Sequence, residues 1–280
     1  MTLSVLARPE GVGRRRDYNS GRMSQTDAMS FTVAAEKYDR FMGRYSSPLA
    51  PLFASFAGVA HERHVLDVGC GPGALSTELV RRLGPAAVTA VDPSEPFVQA
   101  VRERLPGVTV EQASAERLPF PDESFDTAMA QLVVHFMADP VAGLVEMARV
   151  TRRRGVVAAC VWDHASAQGP LGAFWAAARA LDPGVPDESD LAGVREGHLA
   201  SLFSAASLRD VEATVLTVSV EHPTFEEWWE PFTLGVGPAG SYTIGLDRDR
   251  QARLRELCRE RFPVEPFIVT ARAWAARGRA

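Results

Sequence analysis

Cysteine is scarce in this 280-residue chain: only Cys70, Cys160 and Cys258 occur, far apart. An odd, sparse set without metal-type spacing argues against a disulfide framework or a structural zinc, and fits a reducing, cytoplasmic setting. No apolar run approaches the length that crosses a membrane. The formal net charge is −5, so the broad basic surface of a nucleic-acid binder is missing. Internal repeats are lacking too. What is present is 46% hydrophobic content, enough to bury one substantial core. The expectation is a one-domain α/β protein with insertions.

The most informative stretch is Val65-Leu66-Asp67-Val68-Gly69-Cys70-Gly71-Pro72-Gly73-Ala74. It reads as a buried strand that ends on an acid, breaks into a glycine-rich turn and starts an apolar helix. Glycines permit positive φ and let a ligand lie against the backbone. An acid at the mouth of a buried strand is costly unless something pairs with it. Strand, acid, turn and helix describe a nucleotide-sized site at the carboxyl edge of a parallel sheet. Gly69, Gly71 and Ala74 also satisfy a dinucleotide G-x-G-x-x-G/A spacing. A pyrophosphate there would be repelled by Asp67, whereas an ammonium or sulfonium ligand would be attracted. The run resembles the first motif of class I S-adenosylmethionine (AdoMet)-dependent methyltransferases.

Further stations lie along the chain. Ala87 to Val91 reads as a second strand ending at Asp92, with Pro93 and Ser94 next. An acid about 20 residues past the glycines suits ribose hydroxyls in either family; Asp92 also suits the start of a helix over Glu95 to Arg104. After a short strand at Val108 to Val110, Ala113 to Asp126 resembles the A-E-x-L-P-F-x-D-x-S-F-D signature of small-molecule methyltransferases. That resemblance implies that Ser114, Ala115 and Glu116 meet the adenine. Many relatives carry Asp at the position of Ser114, leaving open whether a side chain or only the Ala115 backbone reads the adenine amine. Phe125 to Ala130 reads as strand four, with Gln131 opening the next loop. A helix starts at Asp139-Pro140, and Thr151 to Gly155 reads as its solvated C-terminal turn. Val156 to Val161 is a central strand that delivers Trp162 and Asp163 to the same edge.

The resemblance covers about residues 34 to 274. It implies a Rossmann-like seven-stranded sheet of order 3-2-1-4-5-7-6, last strand antiparallel, with helical lid insertions. The chain divides into a disordered, arginine-rich leader (1–30), a helical cap (31–60), an AdoMet-binding core (61–164) and a remainder with acceptor-binding insertions (165–280). A true start at Met23 or Met29 would make the leader an upstream extension. In such enzymes the N-terminal segment folds over the cofactor. Tyr38 and Arg44 could therefore reach its carboxylate, the Arg44 fork being suited to one; a surface helix with a Glu36–Arg40 pair is the alternative. Phe225, Trp228, Trp229 and Phe232, with Gly235 to Tyr242 as hinges, suit an aromatic-walled lid. Of the adjacent tryptophans one is expected in the core and the other more exposed, since helical neighbours point about 100° apart. His135 and Asp163 are the candidate base and its partner for an oxygen acceptor, with His164 in reserve.

These readings converge on a methyltransferase of a small, partly apolar metabolite, monomeric or homodimeric, with AdoMet as cofactor and no metal, nucleic-acid or membrane partner. A non-catalytic AdoMet-binding or regulatory protein is the second reading, and an NAD-dependent oxidoreductase a distant third.

Overall fold

The computed structural model describes residues 35–60 and 64–280. The expected leader, residues 1–30, lies outside the described residues, as do residues 61–63. Seven strands form one sheet in the order β3-β2-β1-β4-β5-β7-β6. They are β1 (Val65–Val68), β2 (Val88–Asp92), β3 (Thr109–Gln112), β4 (Phe125–Gln131), β5 (Thr151–Trp162), β6 (Arg209–His222) and β7 (Phe267–Arg279). β1 to β5 are parallel, and β7 enters antiparallel between β5 and β6. The order reverses at β1, flanked by β2 and β4, and this switch point opens a crevice at the strands' carboxyl ends.

The helices are α1 (Ala35–Tyr38), α2 (Arg44–Phe56), α3 (Ala74–Leu83), α4 (Glu95–Arg104), α5 (Pro140–Val150), α6 (Gly172–Leu181), α7 (His198–Ala205), α8 (Phe225–Trp229), α9 (Gly237–Gly245) and α10 (Arg248–Arg259). A π turn at Asp39–Gly43 joins α1 to α2. Period-two alternation sorts side chains between the sheet faces. On β5, Val156, Ala158, Cys160 and Trp162 pack with α2, α3, α6 and α10. Val157, Ala159 and Val161 pack with α5 and α7. Local chemistry starts the helices where the sequence suggests. Asp139 accepts a hydrogen bond from Ala142 N at 3.0 Å ahead of Pro140, and Asp247 caps α10 through Arg250 N at 2.9 Å.

Three expectations are corrected. Thr151 to Arg154 are strand rather than a helix end: Thr151 pairs with Phe125, Arg152 forms an ion pair with Asp126, and Arg154 takes a φ of 63° beside the C-terminal carbonyl. Pairing with β4 outweighs the favourable helix-dipole position of these arginines. Trp228 and Trp229 are both buried, at 3% and 5% exposure. α8 is a short helix whose two tryptophans both meet rings outside it, Trp228 packing on Phe232 at 4.8 Å and on Phe262 at 4.9 Å and Trp229 on Phe232 at 6.0 Å. Residues 237–245 form a helix rather than a flexible loop.

Arg149 of α5 fastens the loop after β3. Its guanidinium donates to Leu118 O (3.0 Å), Phe120 O (2.8 Å), Asp122 (2.8 Å) and Glu146 (2.7 and 2.8 Å). Replacing it strands two carbonyls and releases the loop. Arg149→Met should lower stability by about 1–3 kcal/mol in urea unfolding, and an unchanged unfolding midpoint would remove this role.

Candidate active site

The crevice is built from the first turns after β1, β2, β3 and β4. Asp67, third residue of β1, is 1% exposed. Its Oδ2 accepts from Ser76 Oγ at 2.6 Å, while Oδ1 is buried without a partner. Gly69 N and Cys70 N both donate to Val91 O (2.8 and 2.9 Å), fastening the turn to β2. Gly69 has φ 70°, and a Cβ there would meet Val133 Cγ2 at 2.5 Å, so the position needs glycine twice over. Asp92 ties the next two turns: Oδ2 accepts from Gly71 N and Oδ1 from Ser94 N, both at 2.9 Å. Gln131 closes the near side, its Nε2 donating to Ser46 O at 3.0 Å while Oε1 is unpartnered.

These groups surround a cleft of ≈ 460 Å³. Of the expected cofactor residues it brings together Tyr38, Asp67, Gly69, Cys70, Gly71, Asp92, Pro93, Ser114, Ala115, Glu116 and Gln131. Glu116 also ties the loops after β3 and β4 together, since its Oε1 accepts from Ala138 N at 2.8 Å. Sequence reading missed Ser46, Ser94, Phe97 and the wall from Leu132 to Val133 and Phe136 to Ala138. Ser94 and Leu132 could have been found as near chain neighbours of the strand ends; Ser46 carries no local signal.

Arg44 is not a cleft residue. Its Nη1 lies 3.0 Å from His222 Nδ1 and donates to Glu227 O at 3.1 Å, pinning α2 to β6 in a separate outer groove. Among the described residues no basic side chain lines the cleft; the start of α3, at Ala74 and Leu75, faces it instead.

Burial, reinforced by Asp92 and eased by Ser76, pushes the Asp67 carboxyl up to about 7; burial likewise raises Asp92 to about 6. Both exceed their unfolded-state values, so the folded free chain holds protons that the unfolded chain has released. Their stabilising contribution is present at acid pH and lost as pH rises through about 6 and about 7. A cationic ligand reverses this by stabilising the charged forms.

Beyond Tyr38, Leu132 and Phe136 lies a smaller inner chamber of ≈ 30 Å³, whose walls include those same three residues. His135, in a single 3-10 turn at Val134–Phe136, faces it with Nδ1 unpartnered. Burial, with the nearby His164, holds the His135 imidazole well below its ordinary pKa, so it is neutral near pH 7. Asp163 does not join it. One carboxylate oxygen accepts from Ser166 N (3.2 Å) and the Ser166 hydroxyl; the other lies 3.9 Å from Arg272. It shapes its own turn and lines neither cavity. Tyr38, His164 and Glu188 line the chamber with His135, as does Trp162, whose buried Nε1 has no partner. Among the described residues no cluster of three or more His, Cys, Asp or Glu could hold a metal, and no helix is long and apolar enough to cross a membrane.

Residues 66–159 match the family model described as "Methyltransferase domain". Over those residues the chain is similar to a methyltransferase domain. The domain implies AdoMet as its cofactor, and the cleft fits: buried Asp67 Oδ1, Ser94 Oγ and Gln131 Oε1 all lack partners around it. Over 132 residues the chain is 34% identical to a malonyl-[acyl-carrier protein] O-methyltransferase of Halorhodospira halophila, covering 46% of this chain and 45% of that protein. It is 33% identical to a ubiquinone/menaquinone biosynthesis C-methyltransferase of Bdellovibrio bacteriovorus, covering 45% and 57%. The match thus spans about half the length of these curated relatives. A solved structure, a "Putative methyltransferase from antibiotic biosynthesis pathway" of Anabaena variabilis, shares the fold with a TM-score of 0.55 at 19% identity, covering 81% of this chain and 96% of that one.

The domain's affinity for AdoMet should rise by on the order of tenfold between about pH 5.5 and about pH 8 as Asp67 ionises. Asp67→Asn should weaken binding and flatten that dependence. Calorimetry across pH reads both, and a pH-independent affinity in the parent chain would sink the pairing.

Proposed function

We propose that this chain transfers a methyl group from AdoMet to the oxygen of a small, partly apolar acceptor, with His135 as general base. The reading rests on one juxtaposition: a cleft with unpartnered acid and amide oxygens shares the wall of Tyr38, Leu132 and Phe136 with a mostly apolar chamber facing a neutral imidazole. When bound, AdoMet supplies an electrophilic methyl group on a sulfonium. Asp67 is placed to take the ligand's ammonium on its free Oδ1, and Asp92 the ribose hydroxyls. Ser114, Ala115 and Glu116 would meet its adenine, and Gln131 with the start of α3 its methionine part, where backbone groups would replace the arginine fork that Arg44 does not supply.

Transfer needs alignment and dryness more than covalent help. Phe41, Met42, Trp162, Leu171 and Val236 supply an apolar wall that suits a metabolite with a hydrophobic body. The orphaned Nδ1 of His135 is a hydrogen-bond acceptor as long as that nitrogen carries no proton, and an acceptor hydroxyl is its natural donor. The curated relatives include both an O-methyltransferase and a C-methyltransferase, so acceptor chemistry varies around this shared domain.

A non-catalytic AdoMet-binding protein would have no use for an unpartnered base beside the cofactor. His135→Ala should lower turnover by on the order of 100-fold with AdoMet affinity kept, read by methylation of a metabolite extract alongside calorimetry with AdoMet and NAD. Unchanged turnover would remove the base; binding of NAD in place of AdoMet would remove the reading as a whole.

A further inference from the structure

Methylation at oxygen releases one proton per turnover. The acceptor O–H bond breaks as the O–C bond forms, the methyl group leaves the sulfonium, and the sulfur keeps the electron pair of the S–C bond. On the reading above, His135 takes the proton. That side chain is 6% exposed, so it must pass the proton outward before it can act again. His164 and Glu188 line both the inner chamber and an outer pocket that also includes Arg179, Asp187 and Ser189. We propose that the His164–Glu188 pair carries the proton from His135 to this outer pocket, and that Glu188 is the residue that holds His164 ready to accept it.

Glu188 comes from a 3-10 turn (Glu188–Asp190) in the insertion between β5 and β6. Its side chain is 5% exposed, yet among the described residues it forms no ion pair with an arginine. Oε2 accepts from Trp175 Nε1 at 2.8 Å, and Oε1 lies 3.9 Å from His164 Nε2. A carboxylate so buried is costly unless it serves a partner, and His164 is the titratable partner within reach. The His135 and His164 rings are 6.0 Å apart between centroids. A chamber of ≈ 30 Å³ has room for one water to bridge them. Other groups around the pair are the Tyr38 hydroxyl on the chamber side and the Arg179–Asp187 ion pair on the outer side. Asp163, one residue before His164, is engaged with Ser166 and lies near Arg272.

Histidine-ring nitrogen NMR on the full chain, with the demethylated product of AdoMet bound, reads the coupling without any acceptor in hand. Glu188→Gln keeps an oxygen for Trp175 Nε1–H while removing the charge. It should move the His164 ring-nitrogen signals and leave AdoMet affinity unchanged; unmoved signals would overturn the proposal. With an acceptor found by the methylation screen, the first turnover of Glu188→Gln should match the parent. Steady-state turnover should slow by on the order of tenfold and recover in imidazole buffer. An equal loss in the first turnover would mean that Glu188 orients the acceptor, and the relay falls. Should this variant fail to fold, His164→Asn tests the same split between first and later turnovers. Failure of the parent chain to bind AdoMet is a separate result: it would overturn the underlying reading and the relay with it, whatever the His164 ring signals show.

Discussion

Asp67 and Asp92 stand at the carboxyl ends of adjacent parallel strands at the base of the cleft, each pressed toward its neutral form by burial. Hydrogen bonds from Ser76, Gly71 and Ser94 hold them there, and the same bonds fix the turns that shape the cleft. Removing the acids would relieve electrostatic strain and loosen three loops at once. Such a local conflict is typical of a functional site, where consistency with the fold is given up for binding.

The strand ends of the parallel sheet were legible because each combines a run of apolar, β-compatible residues with an abrupt polar stop. In Val65–Val68, Val88–Asp92 and Phe125–Gln131 the polar residue at or beside the stop lines the cleft. Asp67, Asp92 and Gln131 could therefore be placed from spacing alone. The family resemblance added the loop at Ser114 to Glu116, which periodicity could not have assigned. The antiparallel pair at the far edge was legible in order and less so in extent: β7 runs on to Arg279 because its partners, β5 and β6, continue alongside it.

What stayed hidden depends on contacts distant in sequence. Arg44 suits a carboxylate by side-chain type, yet His222 and the Glu227 carbonyl, far along the chain, claim its guanidinium. Asp163 stands at the proper strand end, but its own turn satisfies it through Ser166. Glu188 carries no local signal in the sequence; only the fold of the insertion brings it against Trp175 and His164. Both tryptophans of α8 are buried because Phe232 and Phe262, outside the segment, pack on them, something helical geometry within the segment cannot reveal.

The inner chamber, at ≈ 30 Å³, admits a water and no metabolite. Part of its wall is the stretch Val236 to Ala239 at the start of α9, just after Gly235 with its φ of 75°. On the reading proposed above, an acceptor entering the chamber would have to select a conformation in which this wall has moved. Its apparent dissociation constant exceeds the intrinsic one by the reciprocal of the open fraction. Bulk alone then becomes a selectivity filter with a thermodynamic scale. A larger acceptor gains contacts only by drawing on a rarer opening, and two metabolites with equal contacts at the methyl-accepting oxygen can differ in affinity solely through the work of displacing α9.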